Sequence, residues 1–336
     1  MSQNDTKLKS TASESELKVI GYDDKDPFGP CFIVTSPVGR ILRISDTFAE
    51  MFPMWAGRIL VTADTEQWAL TAATTATGLA TSVIMSPAEA GIENTVPHDK
   101  TPDNRSGVVM QIYNRNRFDL KAQMILRIGQ CIMTCPTTSA FDAMPSPKRR
   151  LKVGRSLRLF GDGFQRSGTV ADRNVWKIPV MDGDFTVEDK FGAAEAVAGG
   201  NLLILAKDKM SGLEGAEEAA RAIREEALEV ILPFPGGICR SGSKAGSLKY
   251  KLKASTNHQF CPKLRTLTVD SQIPEDVNCV YEIVINGLTL DAVRKAMGAG
   301  IRAAVSVPGI LRISAGNYGG KLGPHKAFLK EALDIK

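Results

Sequence analysis

The sequence predicts an α+β protein with two ferredoxin-like (βαββαβ) lobes from an internal duplication, preceded by an N-terminal extension. Two observations carry this prediction. The order strand, helix, strand, loop with glycine, strand, helix occurs twice along the chain. The chain also has 336 residues, whereas a single hydrophobic core stops growing at roughly 250–300 residues. We place the extension at residues 1–45, the first lobe at 46–165 and the second lobe at 166–336.

The extension and the first lobe contain the following pattern. Met1 to Lys18 are polar, which predicts disorder, and a hairpin is expected around Pro37-Val38-Gly39. The elements predicted for the first lobe are a strand at 58–63, a helix from 64 to 78, strands at 80–85 and 107–113, and a helix whose apolar face includes Leu120, Met124, Ile128, Cys131 and Cys135. The two cysteines lie in this apolar stripe, so core packing is favoured over a metal pair.

The second lobe repeats this order. Its predicted elements are a strand at 202–206, a helix at 213–227, a strand at 229–233, a loop at 234–237, a strand at 279–288 that leads into a turn, a helix at 290–304 and a strand at 309–314. Short motifs also correspond, with Pro-Ala-Glu-Ala-Gly-Ile at 87–92 and Phe-Pro-Gly-Gly-Ile at 234–238. This repetition supports a duplicated unit.

Composition excludes several classes of protein. The chain is 43% hydrophobic and 24% charged, and its net charge of +5 is too small to indicate nucleic-acid binding. It contains no apolar run of about 18 residues and begins without the apolar segment of a secretory signal. We therefore expect a cytoplasmic protein that binds neither membrane nor nucleic acid. The six cysteines form no Cys-x-x-Cys pair and the three histidines are far apart, so reduced thiols and no metal site are expected.

Glu282 is the clearest candidate for a catalytic group. The strand around it has apolar residues on both faces, and Glu282 shares one face with Val280 and Val284. Burial raises the pKa of a carboxyl group, and a carboxyl that stays protonated near neutral pH can donate a proton. The alternative is an edge strand on which Glu282 points to water. The strand alone leaves both possibilities open.

Polar turns and a basic run are further candidates for binding. Turns rich in hydroxyl and amide side chains offer N–H and O–H groups to a ligand, although each alone is also ordinary turn chemistry. They lie at 137–142, 241–244, 255–257 and 314–321. The run 148–158 holds six basic residues and no acid. It fits a solvated linker, a docking surface for an anionic substrate tail or acidic partner, or nucleic acid, although no aromatic residue interleaves to stack bases.

Long motifs in the sequence resemble those of the formylmethanofuran–tetrahydromethanopterin formyltransferase family. They extend from Asp46 to about Gly323. The motifs are Asp-Thr-Phe-Ala-Glu at 46–50, Thr-Ser-Val-Ile-Met-Ser-Pro-Ala-Glu-Ala-Gly-Ile at 81–92, Arg-Ile-Gly-Gln-Cys at 127–131, Ser-Ala-Phe-Asp-Ala-Met-Pro at 139–145, Phe-Gly-Asp-Gly at 160–163, Phe-Pro-Gly-Gly-Ile at 234–238, Tyr-Glu-Ile-Val-Ile-Asn-Gly-Leu at 281–288 and Ile-Ser-Ala-Gly-Asn at 313–317. Residues 1–45 extend beyond the usual start of the family.

The resemblance implies formyl transfer between formylmethanofuran and tetrahydromethanopterin in one-carbon metabolism. It implies a homo-oligomer, commonly a tetramer, without a metal or tightly bound cofactor, in which both carriers are substrates and Glu282 is catalytic. From the motifs and polar turns we predict substrate-binding roles for Glu89, Thr138, Ser139, Asp142, Ser241, Lys244, Ser255, Asn257, Asn286 and Asn317. Two alternatives remain: a low-activity structural subunit of a formyltransferase/hydrolase complex, and an RNA-binding module.

Overall fold

The computed structural model describes residues 17–242, 249–251, 257–321 and 323–335. The strands in these ranges are β1 (Lys18–Asp23), β2 (Cys31–Thr35), β3 (Ile41–Ser45), β4 (Phe48–Ala63), β5 (Glu89–Val96), β6 (Ser106–Asn114), β7 (Ser139–Asp142), β8 (Arg149–Leu151), β9 (Arg166–Val170), β10 (Arg173–Val180), β11 (Gly183–Glu188), β12 (Phe191–Ala206), β13 (Val230–Ile231), β14 (Cys279–Gly287), β15 (Ile310–Ser314) and β16 (His325–Phe328). The α-helices are α1 (Glu66–Ala76), α2 (Arg117–Arg127), α3 (Val153–Leu157), α4 (Lys209–Glu226), α5 (Leu290–Ala304) and α6 (Leu329–Ala332).

The predicted α+β fold with two ferredoxin-like lobes is confirmed. In the first lobe the chain order is β4, α1, β5, β6, α2, β7 and the sheet order is β7-β4-β6-β5. In the second lobe the chain order is β12, α4, β13, β14, α5, β15 and the sheet order is β15-β12-β14-β13. Both sheets therefore have the fourth strand beside the first and the third beside the second, which is the βαββαβ arrangement.

The first strands of the two lobes join them into one sheet. β4 and β12 are each 16 residues long, and their initial halves pair antiparallel from Ala194↔Ala56 to Ala198↔Phe52. The arrangement is nearly two-fold symmetric, because β8 pairs with the start of β12 as β16 pairs with the start of β4. We define the paired segments 52–56 and 194–198 as the central seam.

Each lobe is widened by a three-stranded addition. β11, β10 and β9 continue the first sheet outward from β7, and β3, β2 and β1 continue the second sheet outward from β15. Because β9 to β11 extend the first sheet, we propose that the first lobe continues beyond residue 165, to about residue 188. The predicted hairpin is present as β2 and β3, and it forms part of the second lobe's sheet. The disorder predicted for the N-terminus falls mainly outside the described residues, although Lys18 already belongs to β1.

The four long helices begin where a side chain can cap them. Thr65, Asn116, Asp208 and Thr289 each accept a hydrogen bond from a backbone N–H of the first turn. Such an N-cap contributes about 0.5–2 kcal/mol to helix stability. The helices cover one face of each sheet and bury many small side chains, such as the alanines of α1 and α4. The other face of each sheet is therefore left for loops, insertions and polar groups.

Three sequence predictions about local structure need correction. The strand predicted at 80–85 is absent, because the Val83 N–H binds the Glu89 carboxylate at 3.0 Å instead of a neighbouring strand, and β5 begins only at Glu89. The strand predicted at 229–233 shortens to Val230–Ile231, since Glu229 has a positive φ and Pro233 lacks an N–H. The predicted second helix ends as a π-helix at Ile128–Ile132, before it reaches Cys135.

Candidate active site

Glu282 lies in the interior of the second lobe's sheet. Its strand, β14, pairs with β12 on one side. On the other side Glu282 exchanges two backbone hydrogen bonds with Cys239, at 2.7 and 3.0 Å. The residue is only 7% exposed, so the alternative in which it points to water from an edge strand is wrong. The strand pairing places it on the sheet face opposite α4 and α5, beside Leu203 of β12.

Two amide side chains hold the Glu282 carboxyl group. Asn201 donates from Nδ2 to Oε1 at 3.0 Å, and Asn257 donates from Nδ2 to Oε2 at 2.9 Å. Burial raises the pKa of Glu282 above its ordinary value, while hydrogen bonds from Asn201, Cys239 and Asn257 act in the opposite direction. The net shift is upward, so the protonated carboxyl group is favoured relative to that of an exposed glutamate.

The same two amides connect Glu282 to the loop that follows β15. The Oδ1 atom of Asn201 accepts from the Gly316 N–H at 2.9 Å. The Oδ1 atom of Asn257 accepts from the Tyr318 hydroxyl at 3.3 Å, and its Nδ2 atom also donates to Ser241 at 3.1 Å. Asn201 was missed by the sequence analysis. Its sequence context resembles that of Glu282, because Asn201 is a polar residue directly before the apolar run 202–206.

A buried carboxylate fixes this loop from the first lobe. Glu50 is fully buried and accepts from the N–H groups of Gly320 at 3.1 Å and Gly323 at 2.6 Å. Asn317 donates to the Thr47 hydroxyl at 2.9 Å. The described loop residues 314–321 and 323 are thereby held at a defined position relative to the start of β4. Glu50 and Thr47 belong to the motif at 46–50, but no spacing rule linked them to the distant loop.

A cavity of about 550 Å³ lies beside this network. Its lining consists of three segments, 27–30, 45–47 and 314–319, together with Asn257, Gln259, Phe260, Ser271 and Gln272. Glu282 lies behind this lining, because it contacts Asn257 directly and Gly316 through Asn201. The walls offer amides, hydroxyls and aromatic rings. This combination suits a ligand with a flat ring and several hydrogen-bonding edges.

Other predicted site residues take different positions. Glu89 and Asn286 bind each other across the two lobes, with Asn286 Nδ2 donating to Glu89 Oε2 at 2.6 Å. Asn286 also accepts from the Gly199 N–H at 3.0 Å. Burial raises the pKa of Glu89, opposed by hydrogen bonds from Asn286 and the Val83 N–H. This pair therefore connects β5 to β14, four residues along the strand from Glu282.

Thr138, Ser139 and Asp142 lie apart from this cavity, and their hydrogen bonds connect to the first lobe and, for Asp142, also to β12 of the second lobe. Thr138 donates to the Ile132 carbonyl at 2.5 Å, and Ser139 accepts from Arg105 at 2.6 Å. The Asp142 carboxylate accepts from the Gly192 N–H at 2.9 Å and from a guanidinium at 2.5 Å. Of the remaining predictions, Ser241, Asn257 and Asn317 belong to the network around the cavity, whereas Lys244 and Ser255 lie outside the described residues.

Three of the six basic side chains in the run at 148–158 pair with acidic side chains. Lys148 pairs with Glu195 at 2.7 Å, Arg150 with Asp142 at 2.5 Å and Arg155 with Asp189 at 3.3 Å. The guanidinium of Arg158 lies 4.8 Å from the ring centroid of Trp176. These contacts hold the run against both lobes, because Asp142 belongs to β7 and Glu195 to β12, and they favour the linker among the alternatives that the sequence left open.

The described residues provide no group of three or more His, Cys, Asp or Glu side chains that could hold a metal ion. All six cysteines are free thiols. Among the helices of the described ranges, none combines the length and the apolar character that crossing a membrane requires.

Comparison with known proteins gives a consistent result. A family model described as formylmethanofuran-tetrahydromethanopterin formyltransferase matches residues 40–180, and a model for the proximal lobe of the same family matches residues 183–332. The chain is 51% identical over 295 residues to the formylmethanofuran–tetrahydromethanopterin formyltransferase of Methanocaldococcus jannaschii, covering 87% of this chain and 98% of that protein. It is 50% identical over 291 residues to the enzyme of the same name from Methanosarcina acetivorans, covering 86% of this chain and 98% of that protein.

Two solved structures share the fold. One is the formylmethanofuran:tetrahydromethanopterin formyltransferase from Methanosarcina barkeri, with a TM-score of 0.82 at 50% identity, covering 86% of this chain and 97% of that one. The other is a chain of the formyltransferase/hydrolase complex (FhcABCD) from Methylorubrum extorquens in complex with methylofuran. Its TM-score is 0.83 at 43% identity, and the match covers 87% of this chain and 97% of that one.

Proposed function

The chain belongs to the formylmethanofuran–tetrahydromethanopterin formyltransferase family, and we propose that it transfers a formyl group between formylmethanofuran and tetrahydromethanopterin, or close analogues of these carriers. The observation that carries the proposal is the buried, doubly hydrogen-bonded Glu282 behind the wall of an amide-lined cavity. An acyltransferase of this kind needs a proton donor that remains protonated near neutral pH, and burial of Glu282 favours that state.

The proposed step begins with attack of the acceptor amine on the formyl carbon. A C–N bond forms, and the formyl oxygen takes the electron pair of the carbonyl π bond, which gives a tetrahedral adduct. The oxygen then returns its electron pair to re-form the carbonyl bond as the bond to the original nitrogen breaks, and that nitrogen leaves with a proton from Glu282. The resulting carboxylate takes the proton lost by the acceptor nitrogen. Glu282 therefore ends in its initial state, and no oxidant or reductant is needed.

The remaining contribution is positioning. Two carriers must be held so that the acceptor nitrogen meets the formyl carbon, which replaces a bimolecular encounter by a prearranged one. We propose that Asn257, Ser241 and Asn317 contact substrate or order the cavity wall, since all three belong to the hydrogen-bond network that surrounds it. We also propose that the other predicted residues support carrier binding. Glu89 and Asn286 do so at the junction of the lobes, and the first lobe contributes Thr138, Ser139 and Asp142.

The direct test is a transfer assay with purified protein, formylmethanofuran and tetrahydromethanopterin. We expect formation of formyl-tetrahydromethanopterin that depends on enzyme concentration and on both carriers. Absence of transfer by folded protein, with these carriers and with methylofuran or other close analogues, would contradict the proposal.

A second candidate is a low-activity structural subunit of a formyltransferase/hydrolase complex. It is favoured by the similarity to a chain of such a complex. The two candidates differ in turnover, because a structural subunit transfers formyl groups slowly when isolated and gains little from intact Glu282. The presence of a buried glutamate held by two amide side chains favours the active enzyme.

We further propose a cytoplasmic homotetramer. The family resemblance supports the oligomer, and the absence of a membrane-spanning helix among the described helices agrees with a protein free of the bilayer. Light scattering at micromolar concentration should give four times the chain mass of 36.2 kDa. A monomer mass under these conditions would remove the tetramer from the proposal.

A further inference from the structure

The N-terminal extension contributes one wall of the cavity. The family models begin at residue 40, yet Pro27, Phe28, Gly29 and Pro30 line the cavity beside the Asn317 loop. This wall is built from residues that precede the matched region. It consists of two prolines, a glycine and an aromatic ring, whereas the second lobe supplies the amides Asn257, Gln259 and Gln272.

A buried ion pair holds the 26–30 turn against the second lobe. Arg312 on β15 is only 4% exposed, and its guanidinium donates to Asp26 Oδ2 at 2.5 Å. Asp26 Oδ1 accepts from the Phe28 N–H at 2.8 Å, which closes the turn. The Pro30 carbonyl accepts from the Asp46 N–H at 2.8 Å. The turn is therefore fixed at one end by Arg312 of the lobe that carries Glu282 and at the other end by Asp46, just before β4.

Phe28 is the side chain in this turn best placed to recognise a ring. Its centroid lies 5.8 Å from the Arg312 guanidinium, and the residue is half-buried against the lobe while it lines the cavity. Removal of Arg312's carboxylate partner would leave a buried charge unpaired, which is costly. The packing of Phe28 thus depends on a pair that lies behind it and away from the ligand side.

We propose that the 26–30 turn is a specificity-determining wall, in which Phe28 contacts the pterin ring of the tetrahydromethanopterin carrier. This inference rests on the proposed function. A pterin presents a flat face and an edge of hydrogen-bond donors and acceptors, and the cavity supplies aromatic rings together with three amides. The furan of the other carrier is smaller and lacks such an edge, so it has less use for the amides.

The test compares Phe28→Ala and Phe28→Leu with the wild-type protein. Phe28→Leu keeps an apolar cover over Arg312 but removes the flat ring, so it separates recognition from folding. Val38→Ala is the control, since Val38 is 60% exposed in the β2–β3 turn of the same extension. Steady-state kinetics with both carriers and calorimetric binding of tetrahydromethanopterin alone are measured, with melting temperature recorded for each variant.

Both Phe28 variants should raise KM and Kd for tetrahydromethanopterin by about three- to tenfold, in line with loss of one aromatic contact. The KM for formylmethanofuran and kcat should stay within about twofold, and Val38→Ala should match wild type throughout. Unchanged tetrahydromethanopterin affinity in the folded Phe28→Leu variant would overturn the inference, as would a change confined to formylmethanofuran. If the wild type binds tetrahydromethanopterin but transfers nothing, the proposed function fails while the binding comparison still decides the role of Phe28.

Discussion

Replacement of Glu282 by glutamine tests the proposed acid directly. Asn201 cannot rotate its amide without loss of the Gly316 N–H bond, so the new glutamine must keep its oxygen toward Asn201. Its NH₂ group then faces Asn257, whose amide can turn over because its other partners are the hydroxyls of Tyr318 and Ser241. After this rearrangement the network has lost about one hydrogen bond. This loss lowers the free energy of unfolding by about 1 kcal/mol.

The expected effects on stability and on turnover differ in size. A loss of about 1 kcal/mol corresponds to a melting-temperature change of at most about 4 °C in a chain of this length. Loss of a general acid reduces the rate by about 10²–10⁴, which corresponds to about 3–5 kcal/mol in the activation free energy. Glu282→Gln should thus fold and bind both carriers, yet lose at least about two orders of magnitude in kcat.

The pH dependence provides a second readout. In the wild type kcat should fall as pH rises through the raised pKa of Glu282, because only the protonated carboxyl group donates. The residual kcat of Glu282→Gln should lack this decrease. The kcat of the wild type and that of Glu282→Gln are measured as functions of pH in quenched transfer assays. The melting temperature and oligomer mass of each protein preparation are recorded first.

Glu89→Gln is the matched comparison. Glu89 is also a buried carboxyl with a raised pKa and an asparagine donor, and Asn286 is likewise fixed by the Gly199 N–H. The two substitutions make the same chemical change, but neither the Val83 N–H nor the fixed Asn286 amide can become an acceptor, so Glu89→Gln should lose at least as much stability as Glu282→Gln. We expect Glu89→Gln to keep kcat within about threefold. A folded Glu282→Gln protein with near-normal kcat would refute the acid assignment.

Three further predictions follow from the same contacts. Asn201→Leu removes a donor that favours the charged form of Glu282, so its pKa should rise further and the alkaline decrease of kcat should move to higher pH; an unshifted profile would contradict this role. Glu50→Gln replaces one acceptor of the loop N–H groups by a donor, so KM for the carriers should increase several-fold with a smaller change in kcat, as steady-state kinetics would show. The folded-state pKa of Glu89 is raised, so above about pH 4.3 this carboxyl group is protonated to a greater extent in the folded protein than in the unfolded chain, and its contribution to stability is lost as pH rises. Urea unfolding should show the wild type losing more stability between about pH 4.5 and 7 than Glu89→Gln, and parallel curves would argue against the shift.

The fold was predictable where local patterns determine it. Helices with N-caps and apolar stripes, and strands such as β14 with alternating or continuous apolar residues, can be recognised from neighbouring residues alone. The strand predicted at 80–85 failed because an apolar run becomes a strand only if a neighbouring strand pairs with it. Here the Glu89 side chain binds the Val83 N–H instead.

The site was predictable only in its centre. Glu282 can be recognised because burial of a carboxyl group in an apolar strand is unfavourable unless hydrogen bonds compensate for the lost hydration. Its partners Asn201 and Asn257 lie 81 and 25 residues away in the chain, and Glu50 contacts a loop 270 residues distant. No spacing encodes such contacts. The same applies to the extension, since the pairing of β3 with β15 joins Arg43 to Arg312 and brings residues 27–30 to the cavity.

The central seam determines whether the two lobes can separate and fold independently. β4 and β12 each begin in the seam and then continue as the first strand of their own lobe, so each lobe supplies one of the two strands that pair there. Separation of the lobes would expose strand edges of both, which is costly and promotes aggregation. Gene fragments that encode single lobes are therefore poor candidates for independent folding units, despite their duplicated ancestry. Hydrogen exchange of the paired amides within 52–56 and 194–198 should be slow, because it requires the two lobes to separate at the seam.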